Sequence, residues 1–273
     1  MRIGHVQLGE GAPLVLISGL NVIESERTAL DCALQLRELA SRHDFPLVFK
    51  ASFDKANRLS RDSYRGPGLD DGLRVLARVK EETNLPILTD VHEAGQAKLV
   101  AEVADCLQIP AFLSRQTDLA AACAATGRAL NIKKAQFMAP GDLEHTVEKA
   151  RSYGANDVML TERGTSFGYQ DLLVDFRAFE RLRGIAPLCF DATHAAQLPG
   201  AGERSSGGDR SAVAPLARAA VAVGVDALFV EVHPDPSAAP CDADCQIVLK
   251  DLDRLLGQVR SIANTLPPAG VNA

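Results

Sequence analysis

The chain contains no tryptophan, three tyrosines and ten phenylalanines in 273 residues, so aromatics make up only 5% of it. Its hydrophobic fraction is nevertheless 47%, carried largely by Ala, Val and Leu. That composition disfavours a β-sandwich and suits parallel strands covered by helices. No apolar run is long enough to span a bilayer, so no membrane association is expected. The first residues, MRIGHVQLGEGAP, lack a charged segment followed by a long apolar stretch. No secretory leader and a cytoplasmic location are therefore expected. Positive charge is not in excess either: 29 Lys and Arg stand against 35 Asp and Glu, a net charge of −6. Non-specific nucleic-acid binding is disfavoured, and any anion site must come from local clustering.

Cysteine is sparse as well. Cys32, Cys106, Cys123, Cys189, Cys241 and Cys245 lie mostly in apolar surroundings, where a thiol behaves as a small core residue. Without a leader they are expected to be free thiols in a reducing compartment. The Cys241–Cys245 spacing would suit a metal, but no second pair accompanies it, which argues against that use.

What is present is a repeated pattern. Short apolar, β-branched runs occur at Leu14–Gly19, Leu47–Phe53, Pro86–Val91, Cys106–Ala111, Ala129–Lys133, Asp157–Thr161, Pro187–Asp191 and Ala227–Val232. They are separated by helical periodicity over Ser25–Arg42, Asp71–Thr83, Gly95–Val103, Leu119–Thr126, Asp142–Tyr153, Leu172–Arg183 and Arg210–Val223, with a last helix at Ile247–Thr265. Gly127, Gly154, Gly184 and Gly224 follow helices and precede strands, where C-caps fall. Eight β-then-α units predict a single (β/α)8 barrel domain over residues 1–273. The alternative, a doubly wound open sheet, is disfavoured because no G-x-G-x-x-G follows the first strand. MRIGHVQLGEG is expected to form a short hairpin capping the barrel bottom. Leu198–Arg210 and Pro234–Asp244 read as mobile loops of the lid kind.

A barrel of this type carries its active site at the C-terminal strand ends. Those ends hold Asn21, Lys50, Asp90, His92, Gln108, Lys133, Lys134, Glu162, Arg163, Asp191, His194, Glu231 and His233. The densest cluster is Lys50–Gly68, with Lys50, Lys55, Arg58, Arg61 and Arg65 interleaved with Ser, Asn and Asp before a Gly-Pro-Gly turn. A strand that runs into Lys, Arg and Asn suits a doubly anionic small substrate, because Lys offers a point charge and Arg a two-pronged donor.

In order, KASFDKANR, SYRGPG, TDVHE, PAFLSRQTDL, NIKKAQF, ERGTSFGY, DATH and EVHPDP resemble the motifs of 3-deoxy-D-manno-octulosonate 8-phosphate (KDO 8-phosphate) synthases, from about Leu14 to Leu256. The resemblance implies a homotetramer of (β/α)8 barrels. It implies condensation of phosphoenolpyruvate with D-arabinose 5-phosphate and water, for lipopolysaccharide biosynthesis. The alternatives are the related 3-deoxy-D-arabino-heptulosonate 7-phosphate synthases, which use erythrose 4-phosphate, or a non-catalytic sugar-phosphate-binding barrel. The heptulosonate relatives carry Lys-Pro-Arg where this chain has Lys55-Ala56-Asn57-Arg58. Asn57 offers sugar hydroxyls a donor and an acceptor, which Pro cannot.

The same resemblance implies roles. His194, Asn21, Lys55, Lys133 and Asp90 would carry the chemistry. Lys50, Lys55, Lys133, Arg163 and Gln108 would hold phosphoenolpyruvate, with Asp90 and Gln108 also polar contacts near the aldehyde sugar. Asn57 and Arg58 would hold arabinose 5-phosphate, and Arg115 would reach its phosphate from a neighbouring subunit. Leu59 departs from the family's usual Ser; either its backbone N–H suffices or phosphate affinity is lower. The family's metal-dependent class uses a Cys where this chain has Asn21. His194, Glu231 and Asp242 remain ligand-like, so a metal-independent enzyme without cofactors is expected.

Overall fold

The computed structural model describes residues 1–9, 11–201 and 207–266. Eight parallel strands close into a barrel in chain order, as the β-then-α spacing predicts. They are β1 (Val15–Val22), β2 (Leu47–Ser52), β3 (Ile87–Asp90), β4 (Cys106–Ile109), β5 (Ala129–Lys133), β6 (Val158–Glu162), β7 (Leu188–Asp191) and β8 (Ala227–Glu231). Around them run α1 (Glu26–Arg42), α2 (Leu69–Thr83), α3 (Ala97–Val103), α4 (Thr117–Ala124), α5 (Leu143–Ser152), α6 (Ala178–Arg183), α7 (Arg210–Val223) and α8 (Leu249–Ala263). The outward strand residues and the helices' apolar stripes form one core. No helix among the described residues is long and apolar enough to cross a membrane.

Inside the barrel, side chains follow the two-residue period of strands. The lower layer is apolar: Ile17, Val48, Leu88, Cys106, Ala129, Met159, Cys189 and Phe229 pack together. Two residues further on, the same faces carry Lys50, Asp90, Gln108, Asn131, Thr161, Asp191 and Glu231, all buried. The pleat therefore converts a sequence step of two into a change from sealed floor to polar mouth. Below the floor, an antiparallel hairpin pairs Arg2–Ile3 with Val6–Gln7. Its Ile3, Val6 and Leu8 plug the barrel, in agreement with the expected cap.

Several local expectations are corrected. The apolar pattern at 172–183 is not one helix. Asp171–Leu173 pairs antiparallel with Thr165–Phe167, and α6 begins only at Ala178. Gly184 ends α6 at φ −65, not in the left-handed form, whereas Gly127, Gly154 and Gly224 have positive φ. In the first loop read as a lid, Gln197–Leu198 pairs with Gly207–Gly208, and residues 202–206 lie outside the described residues. The second, Pro234–Asp244, folds back so that Cys241 and Asp242 line the mouth. All six cysteines are buried free thiols, and burial pushes the Cys241 thiol up to about 12.

Candidate active site

Three adjacent strands build the centre of the mouth. Glu231 of β8 lies beside Gly19 of β1, which lies beside Lys50 of β2. Gly19 has no side chain to separate its neighbours. Its φ is +158, and a Cβ there would sit 1.9 Å from the Lys50 carbonyl oxygen. Across this gap Lys50 Nζ reaches Glu231 Oε1 at 2.6 Å, with both side chains buried. Lys50 Nζ also donates to the Asn21 carbonyl oxygen at 3.2 Å. Burial lowers the Lys50 ammonium below the ordinary lysine value, and Glu231 only partly opposes this. Burial likewise works to raise Glu231, but Lys50 and His194 hold its carboxyl below the usual range.

The Asn21 side chain occupies the centre of a carboxylate pair. Its Nδ2 donates to Glu231 Oε2 at 2.6 Å and to Asp242 Oδ2 at 2.9 Å. His194 Nε2 lies 3.7 Å from Glu231 Oε2 and 3.9 Å from Asp242 Oδ2. His194 Nδ1 meets Asp191 Oδ2 at 2.7 Å, and the His194 backbone N–H donates to Asp191 Oδ1. A carboxylate only accepts, so Nδ1 donates to Asp191, and Nε2 is left on the side of Glu231 and Asp242. The Lys133 ammonium pairs with the same Asp191 and lies 4.3 Å from the Phe229 ring centroid. Burial would raise Asp191, but His194 and Lys133 hold it well below the usual carboxylate range.

The mouth encloses roughly 240 Å³, lined among others by Lys50, Lys55, Asn57, Arg58, Asp90, His92, Gln108, Lys133, Arg163, His194 and Asp242. Burial works against the Lys55 ammonium, yet Glu231, Asp90 and Asp242 outweigh it and hold its pKa above the ordinary value. Burial pulls the His92 imidazole down; its ring stands edge-on to Phe53. Arg163 is buried, and its Nη2 donates to Gln197 Oε1. Among the described residues, Arg163 Nη1, His92 Nδ1, Arg58 Nε, Gln136 Oε1, Asn21 Oδ1 and Gln246 Oε1 are buried without a hydrogen-bond partner, and the first four of these residues line the mouth. Buried polar atoms are normally paired, so this concentration marks a place built for a polar guest.

Behind Arg163 stands a second set of contacts. The fully buried Lys134 ammonium donates to the Gly164 carbonyl at 2.8 Å and lies 3.4 Å from Glu162 Oε1. Glu162 Oε1 in turn accepts from the backbone N–H groups of Arg163 and Gly164. These contacts fix the turn that aims Arg163 inward.

Most residues named from sequence meet here, with three qualifications. Arg58 turns its guanidinium to the Pro240 carbonyl at 3.1 Å and to the Cys241 thiol. Arg115 is exposed and does not line this mouth. Leu59, exposed, lines it at the position where the resemblance implied a Ser. Sequence reading named none of Gln136, Gln197, Asn131 and Thr161. Asn131 and Thr161 did carry a signal: each is a polar residue in an apolar strand, two positions before Lys133 or Arg163.

The acid–base state of this cluster has a consequence for stability. Burial works to raise Asp242, but His194, Lys55 and the Cys241 and Gln197 donors hold it at about 2, against 3.8 ordinarily. A depressed folded value stabilises above the unfolded pKa and is lost as pH falls through the folded one. The ionised Asp242 should therefore contribute about 2 kcal/mol above pH ~4, lost towards pH ~2. Urea unfolding of the native chain and Asp242→Asn should differ at neutral pH and converge in acid; a constant gap refutes the assignment.

A closed (β/α)8 barrel whose strand ends converge on a cationic mouth defines a barrel enzyme acting on small anions. Comparison with known proteins refines that class. The chain belongs to the DAHP synthetase I family, whose model matches residues 2–266. It is 52% identical over 262 residues to the 2-dehydro-3-deoxyphosphooctonate aldolase of Cyanothece sp., covering 96% of each chain. It is 51% identical over 263 residues to that of Geotalea daltonii, covering 96% of this chain and 97% of the relative. The aldolase of Pseudoalteromonas translucida is 47% identical over 262 residues, covering 96% and 92%.

Proposed function

We propose that the chain condenses phosphoenolpyruvate with D-arabinose 5-phosphate and water, releasing inorganic phosphate and forming 3-deoxy-D-manno-octulosonate 8-phosphate. The relatives' name denotes that eight-carbon product. The observation that carries the reading is Arg163: a buried guanidinium with an unpartnered nitrogen, facing the mouth beside Lys133 and Lys55. Such a group suits the carboxylate and phosphate of phosphoenolpyruvate. Lys50 and Gln108 line the same space and belong to that subsite. Asn57 and Arg58 lie towards the rim, where a five-carbon sugar phosphate would enter. Arg115 lies two residues beyond the mouth-lining turn Pro110–Leu113, is exposed, and does not line this chain's site. That placement supports its donation to a neighbouring mouth in a homotetramer.

In this reading C3 of the enolpyruvate attacks the aldehyde carbon while water adds at C2, and the hemiketal phosphate loses phosphate by C–O cleavage. Lys55, Lys133 and Arg163 offset the repulsion between two anionic reactants and hold them in register. Asp90, a buried anion lining the mouth, would contact the aldehyde end. His194 Nε2 is the proton carrier with access to the mouth, and Asp191 holds its tautomer.

The reaction is proposed to need no metal. The Asn21 amide nitrogen donates to both Glu231 and Asp242 and so engages two of the oxygens that a cation held by His194, Glu231 and Asp242 would need. The donor set does not fit a divalent ion well, since a neutral amide replaces an anionic ligand. Phosphate release from phosphoenolpyruvate is the test. It should be fast with arabinose 5-phosphate, slow with erythrose 4-phosphate, and unchanged by a chelator. Release with erythrose 4-phosphate alone would overturn the substrate, and activity lost to chelator and restored by Mn²⁺ would overturn metal independence.

A further inference from the structure

Beneath the mouth, five consecutive strands share one hydrogen-bonded chain. Thr161 Oγ1 of β6 donates to Asn131 Oδ1 of β5 at 2.7 Å. Asn131 Nδ2 donates to Gln108 Oε1 of β4 at 2.8 Å. Gln108 Nε2 donates to Asp90 Oδ1 of β3, and Ser52 Oγ of β2 donates to the other oxygen of Asp90. All five side chains are buried, and Asp90, Gln108 and Asn131 are direct lateral neighbours in the sheet.

The chain has a direction. A carboxylate can only accept, so it takes both of its flanking groups as donors. At the far end, Thr161 spends its single proton on Asn131 Oδ1, which leaves the Asn131 NH₂ for Gln108 Oε1. Gln108 then has only its NH₂ to offer Asp90. The direction is set from Asp90: a reversed Gln108 would turn its oxygen on the carboxylate, and a reversed Asn131 would turn its oxygen on Gln108 Oε1, whereas Thr161, able to donate or accept, ends the chain by satisfying Asn131 Oδ1. Buried polar chains of this kind specify a single arrangement only when every member is satisfied. An apolar layer would pack these positions without such a demand, so the polarity calls for a reason beyond packing.

We propose that Thr161 and Asn131, neither of which lines the mouth, are positioning residues that hold the Gln108 amide in place with its N–H on Asp90 in the substrate site. This rests on the function proposed above and deepens it. Asp90 and Gln108 both line the mouth, next to Lys55 and Lys133. Without Thr161, Asn131 Oδ1 loses its donor, and without Asn131, Gln108 Oε1 does; the amide is then free to leave Asp90 and to unsettle the carboxylate that lines the mouth.

The test compares variants of equal size. Thr161→Val removes the first donor while keeping the shape, and Thr161→Ser keeps the hydroxyl while losing a methyl. Thr161→Val should lower kcat/KM for phosphoenolpyruvate about tenfold, the worth of a hydrogen bond to a charged group. Most of that loss should fall in kcat, because Arg163 and the lysines still bind substrate. Thr161→Ser, which opens a larger void, should stay within about twofold. Asn131→Leu should resemble Thr161→Val. If Thr161→Ser is as impaired as Thr161→Val, or if both valine and leucine variants keep native kcat, the proposal is overturned while the proposed reaction stands. Neutron diffraction on the unaltered protein decides the matter should the variants fold poorly. Deuterons on Asn131 Nδ2 towards Gln108 and on Gln108 Nε2 towards Asp90 are required, and the reverse orientation refutes the idea. An unaltered protein that releases no phosphate with either sugar would instead refute the function.

Discussion

Arg163→Met is expected to lower kcat/KM for phosphoenolpyruvate by about 100- to 1,000-fold while leaving the melting temperature unchanged or raised. The two halves of that expectation have one cause. The guanidinium is buried, has Gln197 as its side-chain hydrogen-bond partner among the described residues, and leaves Nη1 without any. Burial pulls it below the ordinary arginine value, with Asp191, Asp242 and Glu162 only partly opposing. A charge taken from water without a matched partner costs stability, so replacing it by an unbranched apolar side chain removes a cost. Substrate binding is where the cost is returned: an arginine fork on a carboxylate or phosphate makes two charge-assisted bonds, together about 3–4 kcal/mol. Steady-state kinetics and a thermal melt on the same preparation check both halves. A variant that melts well below the native protein but keeps its KM would make Arg163 a structural residue and remove the anchor of the proposed site.

This opposition between stability and binding explains what could be read from the residues alone and what could not. Parallel strands buried on both faces are short apolar runs, and β5 was expected and found at Ala129–Lys133. The polar residues closing those runs project into the mouth because the inward face repeats every second residue. The 172–183 segment misled for a physical reason. Leu172, Leu173, Phe176 and Phe179 have helical spacing, but pairing of Asp171–Leu173 with Thr165–Phe167 overrides it locally. Pairings across barrel closure were equally hidden. That Lys50 meets Glu231, 181 positions away, depends on Gly19 lying between them in register. From sequence both were strand-end charges; only closure makes one the partner of the other. The same holds for Arg58, whose partners at Pro240 and Cys241 come from the far end of the chain.

The Lys50–Glu231 pair should behave in the opposite way to Arg163. Lys50→Met leaves the Glu231 carboxylate fully buried with Asn21 as its remaining side-chain donor at 2.6 Å. Breaking a buried pair by removing one partner costs about 3–5 kcal/mol, because the survivor is an uncompensated charge. For a chain of this length that corresponds to a fall of about 10 °C in melting temperature. Restoring neutrality should restore most of it. The double variant Lys50→Met/Glu231→Gln keeps the volume and leaves no charge at these two positions, so it should melt within a few degrees of the native protein. Activity should not return with stability, since the double variant has lost one of the mouth's cations and turned the anion beside Asn21 and His194 into a neutral amide. A thermal melt and a phosphate-release assay on the two single variants and the double variant complete the cycle. Additive losses would mean that the two side chains act independently. The 2.6 Å contact would then be incidental to the fold, and Gly19 would owe its place to the close approach of the Lys50 backbone alone.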